Sequence, residues 1–220
     1  MGGQDTPSIH ELKDGYAAGV HFLCPNCKFV SAYIGSTSTA WNDPAKGTAL
    51  TVNLQAQGAD VIYAAAGKSN TGVKQVNSAQ GLKAASLPAG LHFLQDPYAK
   101  VPRSANYAHA FDGDARPTFF IGVDTDQNAL GDDDQNVTTL NHGLTSSVYR
   151  VDNAVYSVIC DFVKGKLWQS GKRDSGLKNA GVTYALNEYN RAPISPELES
   201  RLKQIVRLVG DGTIKMPSEK

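Results

Sequence analysis

A chain of 220 residues with 41% hydrophobic content holds enough apolar material for a packed core. Its 21 basic and 21 acidic side chains cancel, so no global field exists to hold phosphate backbones or anionic lipid, and nucleic acid is not an expected partner. No run of about 18 apolar residues occurs, and the opening MGGQDTPS is polar, so nothing in the chain reads as a membrane span or a signal segment.

Taken in order, residues 7 to 23 place Ile9, Leu12, Tyr16, Val20 and Leu23 at intervals of three and four, which predicts an amphipathic helix with Ser8 as its cap and Glu11 three residues on. The sequence LCPNCK follows, with Cys24 and Cys27 as the only closely spaced cysteines. Zinc would need about four ligands, and neither a second CxxC nor histidines at ligand spacing accompany the pair. A structural disulfide and a pair of free buried thiols both remain open, and Cys160 in VYSVICDF reads as core. Residues 29 to 34 predict a strand. Asp43-Pro44 opens a second helix running to about Gln57, with proline in the first turn where its missing N–H costs nothing. Residues 60 to 65, DVIYAA, predict the next strand, and residues 71 to 79 a third helix.

Residues 80 to 117 break this rhythm with Pro88, Pro97, Pro102 and Pro117, and read as an irregular surface excursion. The strand expected after it, residues 118 to 123, ends in Asp124, Asp126 and Asn128. An apolar run that stops abruptly at acids is the pattern of a buried parallel strand whose carboxyl end faces a ligand. Residues 144 to 163 predict one long amphipathic helix, GVTYAL a strand, and residues 195 to 209 a closing helix opened by Ser-Pro-Glu. Strands alternating with helices at this spacing imply an α/β fold with a mostly parallel sheet and helices on both faces.

The stretch DTDQNALGDDDQ imitates a calcium loop, but Ala129 stands where such a loop needs glycine and Gln135 where it needs a bidentate glutamate. No GxSxG, Walker loop, HExxH or GxGxxG is present, and His10, His21, His92, His109 and His142 are dispersed. No metal or cofactor is therefore expected. The enzymatic alternative is a sugar- or nucleoside-processing hydrolase using Asp124 and Asp126.

Five phrases in order, GGQDTPSIHELKDGYAAGV, YIGSTSTAWNDPAKG, GADVIYAAAGKSNTGV, FIGVDTDQN and LTSSVYRVDNAVY, together with the closing SPELESRLKQIVRLVGDGTIKMP, resemble the basic membrane protein family. These are the purine nucleoside receptor-like (PnrA-like) substrate-binding lipoproteins of bacterial ABC transporters. The resemblance implies a non-enzymatic, two-lobed, type I periplasmic-binding-protein fold of which this chain begins at the second lobe, as a fragment or a truncated relative. It implies residues 1–141 as a second-lobe domain carrying the insert at 80–117, and residues 142–220 as a return helix, connection and closing helix shared between lobes. The amino-terminal lobe and the strand before Met1-Gly2-Gly3 are expected to be missing.

Carried over residue by residue, the resemblance makes Trp41 the residue that stacks on a nucleobase, with Asn42 beside it, and Gly67 the glycine that lets ligand approach the backbone. By the same resemblance Asp124 is the expected acceptor of the ribose hydroxyls, with Asp126 its neighbour, and Tyr149 stands where the family usually has a lysine that reaches the sugar. Without the resemblance, Trp41 is a tryptophan at a strand-to-helix corner, Gly67 a turn glycine, and the two acids a helix cap or loop residues. The implied partners are a nucleoside or another small solute, a transporter permease and the missing lobe. The implied place is the periplasm or the outer face of the cytoplasmic membrane, with a lipid anchor on the full-length protein.

Overall fold

A computed structural model describes residues 1–79, 81–93, 96, 98–105 and 115–216. Among the described residues six short strands form the sheet: β1 (Gly2–Gln4), β2 (Tyr33–Gly35), β3 (Val61–Tyr63), β4 (Phe119–Asp124), β5 (Gly143–Tyr149) and β6 (Val182–Tyr184). β1 pairs in parallel with β2, β3 with β4 and β4 with β5, while β6 lies antiparallel on β5. The two ladders join where Gly2 bridges Ala65, with Gly3 N donating to Ala65 O at 2.8 Å and Ala65 N to Met1 O at 2.9 Å. The spatial order is thus β2-β1-β3-β4-β5-β6, in which the chain runs outward from β1 to β2 and then back past it to β3.

Alternation along the strands sends side chains to two faces. One carries Ile62, Ala64 and Phe120 against Leu54 of α2 (Pro44–Ala56) and Val73 of α3 (Asn70–Ala79). The other carries Ala65 and Val123 against Ile9 of α1 (Pro7–Leu23), with Leu12, Tyr33, Trp41 and Tyr63 around them. The helix starts follow local chemistry: Asp43 accepts from Lys46 N at 3.0 Å, and Ser195 accepts from Leu198 N at 3.1 Å to open α5 (Pro196–Gly210). α1 instead starts at Thr6 with Pro7 in its first turn, so Ser8 is not its cap.

Several expectations are corrected. Residues 143–149 form β5, and the helix expected over 144–163 is confined to α4 (Val151–Val163). Backbone bonding to β4 and the β-forming Thr145, Val148 and Tyr149 outweigh a helical spacing that begins only at Val148. The strand expected at 29–34 is paired only at Tyr33–Gly35, and Gly2–Gln4, where the sequence suggested no element, form β1. The sheet also continues across the boundary drawn at residue 141, since β4 and β5 are neighbours. The described part of the 80–117 insert is more than a surface excursion. Leu82 and Arg116 exchange backbone hydrogen bonds at 2.9 and 2.8 Å, and Tyr98, Val101 and Ala115 pack on Phe119 and Leu140. They cover the amino end of the face whose other end α1 covers. Part of the insert, including Pro97, lies outside the described residues.

α4 has no buried residue, and Val155, Ile159 and Phe162 expose 53%, 54% and 82% of their surface. Cys160, on the same helix, is half-buried rather than core. No helix among the described residues is long and apolar enough to cross a membrane.

Candidate functional site

Parallel strands finish at one edge, and where the strand order reverses the loops diverge and leave a crevice. Here that point lies between β1 and β3. Trp41, in a 3-10 turn spanning Ser38–Asn42 after β2, sits over it. A Cβ added to Gly3 would fall 2.5 and 2.6 Å from Trp41 Cε3 and Cζ3 and 3.2 Å from Ala66 Cα, so the indole lies directly on the bare β1 backbone. Trp41 Nε1 donates to Gln4 Oε1 at 3.2 Å, and the ring remains half-exposed. Gly67, after β3, holds a φ of +56°, the left-handed region that a side chain resists, and its missing Cβ would lie 3.1 Å from Trp41 O. Asn42 is exposed at the end of the same turn.

Two residues that sequence reasoning missed hold this corner together. The fully buried Ser69 hydroxyl donates to Ala40 O at 2.8 Å and accepts from Asp43 N at 2.8 Å, which latches the Trp41 turn to the Gly67 turn. Gln4 fixes the indole N–H. Neither carries a motif, because each acts through partners 26 to 37 residues away.

Asp124 ends β4 with an exposed side chain and a φ of +68°, and Thr125 N donates back to Val123 O at 2.8 Å. A non-glycine residue in so tight a left-handed turn is strained, and such strain gathers at ligand sites. Across the ladder Asp124 pairs with Val148, and Tyr149 follows at the end of β5. Burial raises the Tyr149 phenol, and the negative Asp124 and Glu11 raise it further. Tyr63, stacked on Tyr16 at 4.9 Å between ring centres, is pushed up to about 12 by burial first and then by its neighbours Tyr149 and Asp124. Arg150 turns away and forks onto Asp152 at 2.7–3.2 Å.

Asp126 is differently placed. Its Oδ1 accepts from Asn128 N at 2.9 Å and its Oδ2 from Asn187 Nδ2 at 2.5 Å, so both oxygens brace the loop. Beneath it the fully buried Asn128 accepts from the Ser146 hydroxyl at 3.2 Å and, through its carbonyl, from Asn141 Nδ2 at 2.9 Å. This amide network braces the loop after β4, and both Asp126 oxygens take part in it.

The site residues therefore fall along one edge in the order Trp41, Gly67, Asp124, Tyr149. Trp41 and Asp124 are not on neighbouring strands: Trp41 follows β2 and reaches over β1 and β3, and Asp124 ends β4. That leaves one to two strand spacings between them, roughly 5–10 Å. Cys24 and Cys27 are joined by a disulfide. They border a cavity of about 810 Å³ that reaches Asp60 and Val61 at the amino end of β3, opposite this edge.

Comparison with known proteins places this geometry. A family described as "ABC transporter substrate-binding protein PnrA-like" (Bmp) matches residues 1–210. Basic membrane protein D of Borreliella burgdorferi (strain JD1) is 27% identical over 221 residues, covering all of this chain and 51% of the relative. ABC transporter nucleoside-binding protein BmpA of Lactococcus lactis subsp. cremoris (strain MG1363) is 25% identical over 224 residues, covering all of this chain and 52% of the relative. The chain spans about half the length of the curated relatives it matches. A crystal structure of ABC transporter system solute-binding proteins from Aeropyrum pernix K1 superposes with a TM-score of 0.61 at 21% identity, over 99% of this chain and 57% of the other, which shows the shared fold. With the family model spanning nearly the whole sequence, this protein belongs to the Bmp family of PnrA-like ABC transporter substrate-binding proteins.

Proposed function

We propose that this chain is the carboxyl-terminal part of an extracytoplasmic solute receptor that presents a purine nucleoside to a membrane permease. The observation that carries the reading is the placement of an aromatic face and a strained, exposed carboxylate at the carboxyl edge of one parallel sheet, Trp41 at the switch point and Asp124 beyond it. An indole suits a flat base because ring burial and offset stacking are both large. A carboxylate suits a ribose because its two oxygens take two vicinal hydroxyls. Gly67 leaves backbone accessible between them, Asn42 and Tyr149 flank them, and Asp126 supports the loop from below. The relative from Lactococcus lactis named as nucleoside-binding supports the ligand class.

Receptors of this architecture bury ligand between two lobes. The exposed apolar side of α4 is the face we assign to the other lobe, with residues 142–220 shared between the two. The mature receptor acts in the periplasm or at the outer face of the cytoplasmic membrane, held there by a lipid anchor, and it works without a cofactor and without turning its ligand over. The test is calorimetry on the two-lobed protein with adenosine, guanosine, inosine, ribose and a panel of amino acids, followed by analysis for free base. Nucleoside binding without release of base is expected. Binding of ribose or an amino acid in place of every nucleoside would overturn the ligand assignment, and release of base would overturn the receptor reading.

A further inference from the structure

A second groove, of about 360 Å³, lies between α1 and the strands β5 and β6. It opens at the carboxyl edge. Tyr149 at the end of β5 lies opposite Val182, and Arg150 N donates to Gly181 O at 2.9 Å, so the wall formed by Leu177 and Val182 begins at the level of Asp124 and Tyr149. From there the groove runs down β5 to Thr145, four positions or roughly 13 Å. Gly15 and Tyr16, one turn below Glu11 and Leu12 on α1, line its far end. The hydroxyls along it are engaged within the protein: Thr145 Oγ1 donates to Ala185 O at 2.8 Å, Thr183 Oγ1 to Tyr184 O at 3.5 Å, and Ser147 shares a hydrogen bond with the Tyr63 phenol. What they leave open is apolar: Leu12, Ile121, Leu177 and Val182, with the rings of Tyr16 and Tyr63. Glu11 is the one charged group among the described residues that line it.

We propose that this groove is a second ligand subsite, taking an apolar, uncharged 5′ substituent of a nucleoside whose base and ribose occupy the edge above it. The inference rests on the nucleoside reading. With the base on Trp41 and the vicinal hydroxyls on Asp124, the ligand lies along the edge in the order Trp41, Gly67, Asp124, Tyr149. The 5′ carbon leaves a ribose on the side away from the base, so it points past Asp124 to Tyr149 and the mouth of the groove. A substituent that continues downward is removed from water between aliphatic and aromatic walls and breaks no hydrogen bond of the protein. A phosphate in the same place meets Asp124 and Glu11, two negative groups that, after burial, raise the Tyr149 phenol. Arg150 offers it no cation, since its guanidinium is forked onto Asp152. The chemical class is therefore a 5′-alkyl or 5′-alkylthio nucleoside and not a nucleotide.

The test is calorimetry on the two-lobed protein with adenosine, adenosine 5′-monophosphate and 5′-deoxy-5′-(butylthio)adenosine. Burial of the butyl chain should make the thioether bind about tenfold or more tighter than adenosine, and the monophosphate should bind about tenfold or more weaker. Gly15→Phe plugs the groove and Gly15→Ala does not, because a Cβ at Gly15 meets nothing closer than Met216 Cε, at 4.0 Å, among the described residues. The advantage of the thioether over adenosine should fall to about twofold in Gly15→Phe and persist in Gly15→Ala. A thioether that binds no tighter than adenosine, or whose advantage survives Gly15→Phe, would overturn the proposal and leave the nucleoside reading standing, as would a monophosphate that binds as well as adenosine. Failure of adenosine itself to bind would bring down the nucleoside reading and the subsite with it.

Discussion

Replacing Gly3 by alanine tests whether the switch point is built around Trp41. The new Cβ would lie 2.5 and 2.6 Å from two indole carbons, whereas carbon atoms rest at about 3.5–4.0 Å. The ring must therefore retreat by roughly 1 Å, since β1 is held on both sides by backbone hydrogen bonds. Overpacking of this kind costs about 1–3 kcal/mol, and displacement of the indole from Gln4 at 3.2 Å costs about 1 kcal/mol more. A total of about 2–4 kcal/mol lowers the thermal midpoint of a chain this size by roughly 5–15 °C. Trp168 is 72% exposed, so a Trp168→Phe background leaves Trp41 as the reporter, and Gly3→Ala should shift its emission to longer wavelength. The decisive measurement is the cycle of Gly3→Ala with Trp41→Ala. If the ring is the obstacle, Gly3→Ala costs little once the ring is gone, a coupling of about 1–3 kcal/mol. Additive losses would refute the reasoning and place the clash on the Ala66 backbone instead.

In the two-lobed receptor, Trp41→Ala and Asp124→Ala should each weaken nucleoside binding by about 1–3 kcal/mol, read by calorimetry. Asp126→Ala should instead lower stability by about 1–2 kcal/mol, because it removes the acceptor for Asn128 N and Asn187 Nδ2, and should leave affinity within about threefold. Replacing both Cys24 and Cys27 with serine should also leave affinity within about threefold, since the disulfide borders the far end of the sheet. The 220-residue chain should gain stability as pH rises from 6 to 8. The Met1 amino group has a folded pKa of about 6 against 8.0 unfolded, so the unfolded chain binds more protons across that window. The gain is about 2–3 kcal/mol. Urea midpoints at pH 5.5 and 8.5 should differ by less in the amino-acetylated chain, and an unchanged difference would show that the amino group is not the source.

The sequence by itself determined what local chemistry controls. The three-and-four spacing from Ile9 to Val20 made α1, Asp43-Pro44 and Ser195-Pro196 opened helices at the residues expected, and the run from Phe119 to Asp124 was a strand ending in an acid. Such features depend on neighbours within a turn or a pleat. The tertiary structure decided the rest, because the deciding partners are remote in the chain. Residues 143–149 became a strand only because β4 and β6 offered their edges. Asp124 and Asp126 look alike in sequence, yet Asp124 is exposed at a left-handed strand end while Asp126 is held by Asn187, 61 residues away. Trp41 reads from the sequence as a corner residue or a ligand platform, and only the sheet order puts it over the reversal between β1 and β3. No local pattern encodes that order, since it arises only when strands far apart in the chain share backbone hydrogen bonds.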